Sequence, residues 1–160
     1  MIEIQNTKVF KTTASSVASN ATNTLLIDRL GYDYCTIDVL VGGTSHTAIT
    51  NKVIALAVDE GSNTSCGDAI VALTGTTNTV TDATNGFLIV ASQTATGTYT
   101  NATESSYATL NIDCRNRKRY LRCRVTPATT VEIAQIARLS RAKTAPMTMT
   151  EKNVKIAVTA

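Results

Sequence analysis

The strongest constraint on this chain is the alternation of apolar and polar residues in short runs. In Tyr107–Cys114, the residues Ala108, Leu110, Ile112 and Cys114 share one parity. In Tyr120–Val125, Leu121, Cys123 and Val125 share one parity and Arg122 and Arg124 the other. Successive side chains of a strand point to opposite faces, so each run predicts a strand buried on one side. Pro127 stops the second run, because proline brings no N–H to a ladder. Between the two lies Arg115–Arg119 (RNRKR), a charged turn, and the unit predicts a β-hairpin.

The same pattern recurs upstream. Gly31 breaks the run that starts at Leu25. Cys35, Ile37, Val39 and Val41 then alternate with Tyr34, Thr36, Asp38 and Leu40, up to the Gly42-Gly43 turn. Val53–Asp59 and Phe87–Ser92 are near-continuous apolar runs and predict strands covered on both faces. Val131–Leu139 has no clean face, but its density of Val and Ile favours a strand over a helix. Asn153–Thr159 predicts a terminal strand with Val154, Ile156 and Val158 in step. Ile2–Phe10 alternates weakly, and Thr12–Thr24 reads as a loop or extended arm. Ser65–Leu73 fits a helical turn or a strand. Gly75–Asn85 reads as a strand edge or loop, Thr94–Asn101 as a polar turn, and Ser140–Thr150 as a linker.

About eight short strands result, at spacings that suit a β-sandwich or jelly roll. Composition agrees. Threonine makes up close to a fifth of the 160 residues, and charged residues only 17%. Helical bundles draw instead on Glu, Lys, Leu and Ala. The length fits one domain, divided as an N-terminal strand or arm (1–24), a sandwich (25–141) and a C-terminal linker with a terminal strand (142–160). No apolar run reaches the length of a membrane span, so no membrane partner is expected. No signal peptide is visible at the N-terminus. Cys35, Cys66, Cys114 and Cys123 form no metal-like spacing and read as reduced, mostly buried thiols. A Cys114–Cys123 disulfide stays open, because the expected hairpin would bring the two close.

Nothing in the sequence points to catalysis, and neither a cofactor nor a metal is expected. The one histidine, His46, sits among threonines and reads as a surface residue. No HExxH, GxSxG or P-loop pattern occurs. Cys66 is the one candidate nucleophile, because the other three thiols fall on core faces. Asp59, Glu60 and Asp68 bracket a Ser/Asn loop that could hold Ca²⁺, although the spacing does not match an EF-hand. Three glycosylation-type sequons, at Asn20, Asn63 and Asn101, are chance matches in a chain rich in Thr and Asn.

The strong local feature is basic. Arg115, Arg117, Lys118, Arg119, Arg122 and Arg124 fall within ten residues. Three readings fit: a solvated strand edge, an acidic protein surface met by Arg forks, or nucleic-acid phosphates. Only Tyr120 supplies an aromatic ring nearby in sequence, so nucleic acid is the weakest of the three. With a net charge of +3, the chain as a whole demands no polyanion.

Two segments carry a family likeness. One is Leu26–Tyr34 (LIDRLGYDY) leading to Val41-Gly42-Gly43-Thr44. The other is Arg117–Pro127 (RKRYLRCRVTP), followed by Ile133–Leu139 and Ser140–Pro146. Together they resemble small head proteins of tailed bacteriophages, including capsid decoration (cement) proteins. The family's Ser-Asp-Asp-Gly stretch corresponds here to Val58–Ser62 (VDEGS). The resemblance implies a jelly-roll-like sandwich that assembles as a homotrimer on the outside of a capsid, with the major capsid protein as partner. Candidate contacts for docking or between subunits are Arg115, Arg117, Lys118, Arg119, Arg122 and Arg124, with Val154, Ile156 and Val158 of the tail.

Overall fold

A computed structural model describes residues 7–42, 53–74, 87–90, 106–127 and 129–142. Among the described residues the chain is all-β, with ten strands in two antiparallel sheets. In chain order these are β1 (Lys8–Lys11), β2 (Ser15–Val17), β3 (Asn23–Asp28), β4 (Tyr32–Val41) and β5 (Val53–Gly61). Then come β6 (Asp68–Thr74), β7 (Phe87–Val90), β8 (Ser106–Asp113), β9 (Tyr120–Pro127) and β10 (Val131–Ala142). One sheet runs β1-β10-β4-β8-β7, with β2 also on β10; the other runs β3-β9-β5-β6. The chain crosses between the sheets at every connection except β1–β2, β5–β6 and β7–β8. This nested order is that of a jelly roll.

The alternating runs form the core. Cys35, Ile37, Val39 and Val41 of β4 pack in one cluster with Leu121, Cys123 and Val125 of β9. On β5, Leu56, Ala57, Val58 and Asp59 are all buried, so both faces of this run are covered as expected.

Three expectations differ from the structure. The first is the hairpin. β8 lies between β4 and β7 in one sheet, while β9 lies between β3 and β5 in the other. Residues 114–119 therefore carry the chain across the sandwich. Both strands line the same core, so their alternation is identical to that of a hairpin. Second, the stretch read as a loop or arm contains β2, whose Ser15, Ser16 and Val17 pair with Ile133, Glu132 and Val131. Third, β10 does have a clean face. Gln135 points inward at 0% exposure while Ile136 points outward at 43%, and this swap is what hid the pattern. Gln135 lies opposite the break between β1 and β2 and spans to the other sheet. Its Nε2 donates to Asn23 Oδ1 at 2.6 Å and to the Asn23 carbonyl at 3.2 Å. Its backbone N–H donates to Thr12 Oγ1 at 2.9 Å. These bonds offset the cost of burying the Nε2 donor, while Oε1 is buried with no hydrogen-bond partner among the described residues.

Strand register separates the two ends of the sandwich. Tyr120 aligns with Asp28 on one side and Gly61 on the other, and Asp113 aligns with Tyr34, so the β3–β4, β5–β6 and β8–β9 connections share one end. Val41 aligns with Ser106 and Ile133 at the opposite end. The long Thr-rich connections leave from there, and His46, Gly75–Asn85 and Thr94–Asn101 lie outside the described residues, as does the Asn153–Thr159 tail.

Candidate functional site

The basic cluster occupies the first of these ends. Its turn is built by the two connections beside it. In the β3–β4 corner, Asp28 Oδ1 accepts the Leu30 N–H at 3.1 Å, and Gly31 takes a φ of 85° that only glycine adopts freely. The Arg29 N–H donates to the Arg119 carbonyl at 3.0 Å, and Arg29 Nε to the Lys118 carbonyl at 2.8 Å. The β5–β6 loop closes over Gly61, where a Cβ would stand 2.7 Å from the Cys66 Cα. Only glycine fits that approach.

Every one of the six cations has a carboxylate partner within the chain. Arg115 forks onto Asp113, and the pair is half-exposed. Arg117 lies 3.6 Å from Glu60. Lys118 meets Asp68, while its backbone N–H donates to Glu60 Oε2 at 2.8 Å. Arg119 forks onto Asp28 at 3.1 and 2.8 Å. Arg122 and Arg124 both converge on Asp59, at 2.9 and 2.6 Å for their shortest bonds. Arg122 also donates to the Cys66 carbonyl.

These pairs set the acidities. The Arg115 guanidinium holds the Asp113 carboxyl down at about 2. Arg119 lowers Asp28 in the same way. Burial alone would push Asp59 up, but the Arg124 and Arg122 bonds together outweigh it and hold the carboxyl below its usual range. Asp59 is 4% exposed, so it is the one deeply placed acid of the cluster.

The acids that the sequence offered as a Ca²⁺ loop are thus engaged by cations. Among the described residues, no group of three or more His, Cys, Asp or Glu side chains could hold a metal ion. Cys66 is buried, and burial pushes its thiol up, which disfavours the nucleophilic thiolate. All four cysteines are free and buried.

The structure also brings Tyr34, far away in sequence, to the basic end beside Tyr120. Arg119 sits over the Tyr120 ring at 4.9 Å. Arg115 and Arg141 sit over Tyr34 at 5.6 and 5.4 Å. Arg141 reaches it from a left-handed backbone with φ 55°. These rings carry guanidiniums already, so they are poor platforms for stacked bases. Asp28, Glu60, Asp113 and Tyr34 were not legible as parts of this site. Their only signal is that each acid lies beside a strand end, which fixes no partner. Val154, Ile156 and Val158 lie outside the described residues.

No family model matches the chain, and no curated protein matches it at a significant level. Solved structures with some likeness include BuGH86 in complex with neoagarooctaose, at 13% identity and a TM-score of 0.37. The match covers 82% of this chain and 19% of that one. Dimeric latent PorU from Porphyromonas gingivalis is 12% identical with a TM-score of 0.38, covering 88% of this chain and 13% of that one. The chain thus spans under a fifth of the length of either protein.

Proposed function

We propose that this chain is a virion structural protein, a capsid decoration protein that binds the outer capsid surface as a homotrimer and stabilises the seams between capsomers. The observation that carries the reading is the place of the two segments that resemble the phage family. They lie about ninety residues apart in sequence and are neighbours in the fold. Leu26 aligns with Arg122 and Asp28 with Tyr120. The Asp28–Arg119 fork and the Arg29 bonds to residues 118 and 119 lock them into one corner. The two segments that carry the resemblance thus act as one structural unit, and this supports reading them as a single motif.

Within this reading the six cations divide by the burial of their partner acid: Asp59, which serves Arg122 and Arg124, is 5% exposed in its side chain, and the acids that serve the other four are 14–60% exposed. Arg115, Arg117, Lys118 and Arg119 are 40–57% exposed in their side chains. Exposed pairs contribute about 0–1 kcal/mol, so an acidic capsid surface can exchange for the chain's own carboxylates at little cost. Arg122 and Arg124 serve Asp59 and belong to the fold. The tail residues Val154, Ile156 and Val158 remain the proposed inter-subunit contact. A tail, neck or head-fibre place in the same virion is the alternative.

Light scattering after size exclusion is the first test. A stable species near three times 17.0 kDa is expected, and a monodisperse monomer would overturn the trimer. The triple variant Arg117→Glu, Lys118→Glu, Arg119→Glu should then lose co-sedimentation with empty shells of the proposed partner, a phage major capsid protein. Undiminished binding would remove the basic end from the contact. A gel shift that strengthens steeply as salt falls would favour nucleic acid over both readings.

A further inference from the structure

Leu30 is the most exposed large apolar residue among the described residues, at 62%. It stands at the tip of the β3–β4 corner, at the basic end of the sandwich. The Tyr32 N–H donates to the Arg29 carbonyl at 3.0 Å, and Gly31 has a positive φ, so Leu30 is the second residue of a tight turn. That position does not require an apolar side chain; proline or a polar residue builds such a turn as well. The fold therefore does not account for a leucine there.

A single exposed leucine is ordinary on a protein surface, and two further features distinguish this one. The first is that its corner is fixed in place. Asp28 Oδ1 accepts both the Leu30 N–H and the Arg119 Nε–H at 3.1 Å. The Arg29 N–H and Nε reach the carbonyls of Arg119 and Lys118. A side chain on a corner held in this way loses little backbone freedom on binding. The second is the charge beside it. Arg29 spends its Nε on a carbonyl, and no carboxylate pairs with its guanidinium among the described residues. In this it differs from the six clustered cations.

We propose that Leu30 and Arg29 are the anchor of the docking surface at the basic end. Leu30 enters an apolar pocket on a folded protein partner, and Arg29 meets a carboxylate at the rim of that pocket. The assignment rests on the decoration reading and deepens it, because it names a contact that needs no exchange of the chain's own ion pairs. An apolar anchor set within a polar rim is the arrangement in which a few residues carry most of the binding energy. Lys118 and Arg119, still held by their acids, belong to that rim and guide orientation. The anchor also selects the class of partner. A leucine has no apolar pocket to fill on a phosphate backbone, and nucleic acid is gripped by free cations and free rings instead.

The test is co-sedimentation of the full chain with empty shells of the proposed partner, a phage major capsid protein. Leu30→Ser should weaken binding at least about tenfold, with the thermal melt and the oligomer size of the wild type. Leu30→Met should bind within about threefold of the wild type, because it restores an apolar side chain of similar volume. Arg29→Gln should flatten the salt dependence of binding, which Leu30→Ser should leave unchanged. If Arg29→Gln melts early, Arg29→Lys, which keeps the charge, should show the wild-type salt dependence. Shell binding that survives Leu30→Ser undiminished would overturn the anchor and leave the decoration reading standing. Failure of the wild type itself to bind shells would overturn both. Loss of the oligomer in Leu30→Ser would place a second copy of the chain over Leu30 and overturn the anchor.

Discussion

Each sheet carries, on its outer face, one aspartate that gathers several donors, and the two sites are built differently. Asp59 on β5 is approached by two guanidiniums from the single strand β9, and burial takes all but 4% of its surface. Asp38 on β4 is served from both neighbouring strands. Tyr107 Oη and Thr109 Oγ1 of β8 donate to its Oδ1, the latter at 2.8 Å. Arg138 of β10 donates to Oδ2 at 2.7 Å. An acid withdrawn from water needs full opposite charge to stay ionised, whereas one that keeps some water contact is held by hydroxyls and one cation. The first arrangement concentrates its energy in one pair of strands. The second distributes it over three.

That contrast orders the mutational effects. Asp59→Ala should cost about 2–3 kcal/mol in urea unfolding, because two part-buried guanidiniums lose their counter-charge. Asp38→Ala should cost about 1–2 kcal/mol, because its hydroxyl partners can turn to water. Equal losses would break the comparison.

The two sites should also fail at opposite ends of the pH scale. The folded Asp59 carboxyl is depressed, so its stabilisation is complete above the unfolded value near 3.8 and is lost as pH falls through the folded one. Asp113, held at about 2, loses its share between about pH 4 and 2. Asp59→Asn should flatten that acid limb in a pH series of melts. The Asp38 bond raises the Tyr107 hydroxyl above its usual 10. Stability from that bond is present below the unfolded value and is lost as pH rises through the folded one. Tyr107→Phe should remove the alkaline loss and leave the acid limb untouched.

The smallest expected effect is at Lys118. Its pair with Asp68 is exposed on both sides, so Lys118→Ala should leave the urea midpoint almost unchanged. A loss as large as that of Asp59→Ala would mean that the exposed rim, and not the buried acid, carries the basic end.

The sequence alone determined the cleanly alternating strands and the faces they bury. Alternation is a local property, and Cys35 to Val41 and Leu121 to Val125 sit in the core as their parity requires. The sequence also showed six cations in ten residues. Tertiary structure decided every partner. Two strands that line one core from opposite sheets carry the same alternation as a hairpin, so only long-range pairing could place β8 with β4 and β9 with β3. The inward turn of Gln135 was settled by Asn23, more than a hundred residues away. The carboxylates that neutralise the basic run come largely from Asp28, Asp59, Glu60 and Asp68, on other strands and loops. Charge is written locally, but whether it is free or paired depends on contacts that exist only after the sheets have closed.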